Sequence, residues 1–224
     1  MRKTWSRTIQ VAVGIVPVTA TMLTPQGYVG SWVDCRADWT PIAPKVGVDV
    51  TFLWGDGQQD FIPNIHDPPT FTEAHNYQTA GIYTITVVIR DQYNNEGETT
   101  TTVQIVDQLE GFLNADPMSG NPPLTVTFTM GMDKGFGPYD WTLTTGDGGS
   151  YSGSDPSGVY TRTHEYVSAG SFSAVLTVTD QLGVFISAEA KVGIGMPALP
   201  ISSLVLPLGI VFAGVAAIYL ATRR

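Results

Sequence analysis

Three histidines, one cysteine and twenty carboxylates are the groups in this 224-residue chain whose chemistry could matter most. His75 and His164 stand in the same setting. Each follows a Gly-Asp-Gly triplet, Gly55-Asp56-Gly57 or Gly146-Asp147-Gly148, and each lies two residues before a tyrosine, Tyr77 or Tyr166. An aspartate beside a histidine could serve as a general base, or as part of a ligand set. A pattern that occurs twice more often serves a fold, so both histidines are read as hydrogen-bonded structural residues. Each triplet is read as a tight turn, in which glycine tolerates positive φ and the carboxylate accepts backbone N–H groups. His66 is different. It falls in the segment 58–74, read as a long loop with Asp60 and Asp67, and has no His or Cys at metal-ligand spacing.

Other chemistry is missing. There is no G-x-S-x-G elbow, H-E-x-x-H, P-loop or dinucleotide fingerprint, and the glycines between Gly131 and Gly137 have turn spacing. The chain is therefore expected not to be an enzyme, and no cofactor is implied. Calcium is the one ion with candidate ligands, at Asp91, Asn94, Asn95 and Glu96 or at Asp107, Glu110 and Asp116; solvated turn carboxylates are the competing reading. Cys35, the sole cysteine, rules out an intrachain disulfide, and its alternation with Val33 makes it a buried small hydrophobe.

The elements that would hold these residues are strands. Only 14% of residues are charged, while Thr, Ser, Gly, Val and Pro crowd the middle of the chain, which favours short strands and turns. Runs such as Thr84 to Ile89 and Ala174 to Thr179 alternate β-branched residues between Gly and Asp turn signals. From the histidine onward the matching residues keep one spacing: Ala80-Gly81 with Ala169-Gly170, and Asp91 with Asp180. That is an internal repeat of one fold, with the boundary near 107–110. Six basic residues face all twenty acidic ones between Thr21 and Gly195, a surface that repels phosphate backbones and excludes nucleic acid as a partner.

These motifs resemble the PKD (polycystic kidney disease) domain: an aromatic-rich strand ending in Gly-Asp-Gly, a His-x-Tyr, a Gly-x-Tyr turn, and an alternating strand ending near Asp. Phe52-Leu53-Trp54 matches the first element closely. The second copy departs from it, with Trp141 two residues early, Leu143 in the usual aromatic place and Thr145 in the other. The resemblance implies an all-β chain of two tandem immunoglobulin-like sandwiches, over 21–107 and 108–195. Its fold signature would be Trp54, His75, Tyr77, Gly81, Trp141, His164, Tyr166 and Gly170. It further implies adhesion, spacing or protein–protein contact at an outward-facing surface.

The ends suggest a membrane. Ile201 to Ala221 carries no charge, enough to span a hydrocarbon core of ~30 Å as a helix, so a transmembrane helix is expected over 199–222. Arg223 and Arg224 then predict an interior C-terminus and an outward ectodomain. Gly209, Ala213, Ala217 and Ala221 line one helical face and would permit self-association or packing on another membrane protein. Residues 1–20 read as a signal-like segment, with Val18-Thr19-Ala20 suited to cleavage after Ala20; the alternative is a retained segment that adds a strand to a neighbouring subunit. Phe61, Ile65, Phe71, Tyr151 and Tyr160 are the candidate partner contacts, with packing over the sandwich edge as the competing reading. A structural or accessory subunit of a larger assembly, such as a surface layer, filament, membrane complex or membrane-containing virion, is the alternative function.

Overall fold

Inward and outward residues alternate along nearly every strand, and that period of two builds the architecture. The computed structural model describes residues 14–41 and 47–195, and all regular structure among them is β. Close contacts divide the chain between Val106 and Asp107 into two units. The apolar stretch from Ile201, with Gly209, Ala213, Ala217 and Ala221, lies outside the described residues. Among those described, no helix is long and apolar enough to cross a membrane.

In the first unit a five-stranded sheet runs in the order β2 (Gln26–Tyr28), β8 (Glu96–Val106), β7 (Gly81–Asp91), β4 (Val48–Leu53), β5 (Gln59–Ile65). A three-stranded sheet orders β1 (Val18–Met22), β3 (Trp32–Trp39) and β6 (Thr70–Asn76). Only the β2–β8 pair is parallel among these ladders. The inner faces share one core, in which Val33, Cys35 and Ala37 of β3 join Val50 and Phe52 of β4 and Ile85, Val87 and Ile89 of β7. Cys35 is fully buried, and burial lifts its thiol to about 11.

The second unit repeats the plan. Its five-stranded sheet is β10 (Ser119–Gly120), β16 (Phe185–Ile194), β15 (Gly170–Thr179), β12 (Tyr139–Thr144), β13 (Ser150–Asp155), with β10–β16 parallel. Its three-stranded sheet is β14 (Gly158–Tyr166), β11 (Leu124–Asp133), β9 (Glu110–Asp116). Phe128 and Met130 of β11 meet Trp141 and Leu143 of β12 and Leu176 and Val178 of β15 in the core.

Two expectations need revising. The segment 58–74 is not a loop: it forms β5 and β6, joined by the short Asp67-Pro68-Pro69 turn, because Phe61, Ile62 and Ile65 can pair with β4, and Phe71 with β3. The expected boundary after Ala20 also falls inside a strand, since β1 starts at Val18. That strand pairs with β3 of its own unit.

Candidate functional site

The Gly-Asp-Gly turn, the histidine and the tyrosine meet at one corner in each unit. Gly55 has φ 82°, and a Cβ there would sit 2.5 Å from the Thr84 carbonyl; Gly146 has φ 84° and the same conflict with Ser173. Only glycine fits such a turn. The turn places Asp56 Oδ1 to accept the Gln58 N–H at 3.0 Å, and Asp147 Oδ1 to accept the Gly149 N–H at 3.2 Å. The other oxygen of each aspartate takes a histidine Nε2, His75 at 2.8 Å and His164 at 2.7 Å.

The tyrosines close the corner from inside. Tyr77 Oη donates to the Trp54 carbonyl at 2.8 Å, and Tyr166 Oη to the Thr145 carbonyl at 2.7 Å, both fully buried. These bonds tie the three-stranded sheet to the residue before the glycine turn, and a buried carbonyl without such a donor would be costly. The histidine ring stands edge-on to its tyrosine in both units. Gly81 and Gly170 open β7 and β15 beside the rings of Tyr83 and Phe172, which stack on Tyr77 and Tyr166 at 4.1 and 4.8 Å.

Electrostatics follow the geometry. Burial works to raise the Asp147 carboxyl, but hydrogen bonds from Thr145, His164 and Gly149 outweigh it and hold the group down at about 2. Asp56 is likewise lowered, with burial opposed by His75 and the Gln58 N–H. Burial, with the Asp56 charge behind it, pushes the Tyr77 phenol upward, and Tyr166 is raised to about 12 in the same way. An aspartate held ionised and locked onto a largely buried histidine orders the corner in each unit.

The tryptophans divide the two corners. Trp54 stacks on His75 at 4.7 Å and donates its indole N–H to Asp60 of β5 at 2.7 Å. Trp141 sits within β12, four residues before Thr145, where Gly153 leaves space for its ring, Arg162 covers it at 5.1 Å, and Asp155 of β13 takes its N–H at 2.8 Å. The sequence motifs mark neither Asp60 nor Asp155 as an indole acceptor; a carboxylate on the strand next to an inward tryptophan is the signal that points to them.

Of the candidate partner contacts, one projects clear of the fold. Phe61 is 59% exposed on the outer face of its sheet, in register with Thr51, which pairs in turn with Val88. Exposed Leu53 lies two residues further along β4. Ile65 and Phe71 instead pack against the first core, and Tyr151 and Tyr160 against the second. Tyr151 Oη also reaches His164 Nδ1 at 3.1 Å, and Tyr160 Oη the Pro156 carbonyl at 3.0 Å. The corresponding outer face of the second unit is lined with Asp140, Thr142, Ser152, Ser154, Thr177 and Thr179 around a shallow hollow of about 340 Å³.

Among the described residues no group of three or more His, Cys, Asp or Glu gathers to hold a metal. Asp91 is spent on the Tyr93 and Asn95 N–H groups and the Asn95 amide, Glu96 on Arg90, and Glu110 on Lys134. His66 is exposed beside the Asn64 carbonyl.

Two antiparallel-rich sheets, with a parallel pair between the second and the last strand of each unit, define an all-β, immunoglobulin-like sandwich. Within that class, residues 113–190 match the PKD domain family. Among solved structures, the chain is similar to the PKD domain of a peptidase from a Thermoplasmatales archaeon (20% identity, 41% of this chain and 93% of that one, TM-score 0.36). It is also similar to fibronectin(III)-like modules of Clostridium thermocellum CbhA (16%, 79% and 94%, TM-score 0.40) and to a bacterial ice-binding adhesin (13%, 84% and 67%, TM-score 0.44). Domains of the PKD and immunoglobulin-like kind are often engaged in adhesion or protein–protein contact.

Proposed function

We propose that the chain is a non-enzymatic surface protein, anchored by the apolar segment 199–222, that presents two PKD-type sandwiches outward and uses the first for contact with another protein. The exposed Phe61, with exposed Leu53 diagonal to it on the adjacent strand and half-buried Val88 beyond Thr51 on the same sheet face, carries this reading. Isolated apolar residues on a surface are ordinary, but neighbouring ones on adjacent strands form a patch that a partner can cover. The second unit, with hydroxyl groups at the matching rows, serves as the spacer. The acidic balance between Thr21 and Gly195 is in keeping with a protein partner and with no nucleic acid.

Gentle detergent extraction of the full-length protein tests this directly. Wild type should travel with a partner at fixed stoichiometry, and Phe61→Ser should run alone with an unchanged melting temperature. A Phe61→Ser protein that keeps its partner would remove the first sheet face from consideration.

A further inference from the structure

The start of the first unit reaches across both of its sheets. Gly14 N–H donates to Asn95 Oδ1 at 2.6 Å, Val16 N–H to the Glu96 carbonyl at 3.1 Å, and Glu96 N–H to the Gly14 carbonyl at 3.3 Å. Ile15 thereby bridges Glu96 in parallel at the beginning of β8. Pro17 then carries the chain to the other sheet, its carbonyl accepting the Thr40 N–H at 3.0 Å. From there β1 pairs with β3 from Val18 opposite Trp39 to Met22 opposite Cys35. Side chains alternate throughout: Ile15 is 82% exposed, Val16 is 2% exposed, and Val18, Ala20 and Met22 pack on the core.

A second observation comes from the opposite strand. Gly97 interrupts a run of Glu and Thr on β8, where glycine weakens a strand and often marks a close backbone approach. A Cβ at Gly97 would lie 1.9 Å from the Val16 carbonyl oxygen. The bare backbone of Gly97 is thus the seat on which this segment rests.

Val18-Thr19-Ala20 nevertheless has the small residues that signal peptidase accepts. A cut after Ala20 would remove Gly14 to Ala20, leave only Thr21 and Met22 of β1 paired to β3, and open the core where Val16 sits. We propose that Gly14 to Met22 persists in the mature protein as a clasp over both sheets, and that the Ala20–Thr21 bond is not a processing site. Leader removal, where it takes place, falls upstream of Gly14. The proposal is independent of the membrane and partner readings above.

Two measurements on the full-length chain, produced in a secreting host, decide it. Mass-spectrometric mapping of the mature N-terminus should find a first residue at or before Gly14; one between Ile15 and Thr21 overturns the proposal. Gly97→Val then pushes a side chain into the Val16 carbonyl. It should raise the hydrogen-exchange rate of the Val16 amide at least about tenfold and lower the first unit's Tm by roughly 5 °C or more. Wild-type exchange and Tm in that variant would overturn the clasp even with the N-terminus intact.

Discussion

The first unit keeps its tryptophan at the residue before the glycine turn, stacked on His75; the second puts Thr145 there and buries Trp141 four residues earlier, within β12. Everything around this difference is shared. In both units the aspartate holds a histidine, the histidine stands edge-on to a tyrosine, and the tyrosine hydroxyl donates to the carbonyl before the turn. Each tryptophan also finds a carboxylate on the next strand, Asp60 or Asp155. The polar tie therefore depends on backbone positions that the turn fixes, whereas the aromatic filling depends only on volume and one indole acceptor. Thr145 adapts by hydrogen-bonding Asp147, and Tyr151 comes in to meet His164 in place of an indole.

That division makes the tryptophans costly wherever they sit. Trp54→Ala and Trp141→Ala should each destabilise their own unit by about 3–5 kcal/mol, the usual range for emptying a buried aromatic site; denaturant unfolding followed separately for each unit measures both. A much smaller loss at Trp141 would mean that the displaced ring is only a filler. The histidines should split next. His75→Ala should cost about 2–3 kcal/mol, because it removes an indole-stacked, buried ring and strands Asp56, and His164→Ala about 1 kcal/mol at its more open site.

The tyrosines should not split. Tyr77→Phe and Tyr166→Phe each delete one buried hydroxyl donor, for about 1–1.5 kcal/mol apiece, and a difference above about 1 kcal/mol in equilibrium unfolding would show that the two ties are not equivalent. Acid offers a subtler comparison. Asp147 is held below its unfolded value of 3.8, at about 2, so its contribution is fully present above pH 3.8 and disappears as pH falls towards 2. Asp147→Asn should flatten the second unit's stability over that window, read from Tm against pH. The smallest effects belong to the outer faces, where Phe61→Ser and its counterpart Ser152→Phe should each change stability by no more than about 0.5 kcal/mol, as thermal melts would report.

Much of the corner was legible in the sequence because its parts are local and repeated: a glycine turn with an aspartate, then a His-x-Tyr. Alternation likewise disclosed the inward faces of β7 and β15. What escaped depends on strand pairing. Ile65 and Phe71 lie in the segment 58–74, which its Pro-rich composition disguised as a loop, and pairing with β4 and β3, like that of Tyr151 and Tyr160 with β12 and β11, packs four of the five candidate contact residues against the cores. Gly14 to Ala20 escaped for another reason. A short apolar stretch with small residues satisfies both a protease and a sheet edge, and only the vacancy at Gly97 distinguishes them.

The parallel pairs β2–β8 and β10–β16 have a mechanical meaning. In each unit they join the strand near its entrance to the strand at its exit, both running the same way. Tension applied between the entrance and exit of a unit pulls these two strands past one another along their length, so the rungs bear the load together and do not peel in turn. Resistance to such pulling is set by the rate of rupture under force, not by the equilibrium depth of the fold. In the first unit the Gly14–Val16 rungs beside Glu96 join the same sheared edge and add to the number that must fail at once.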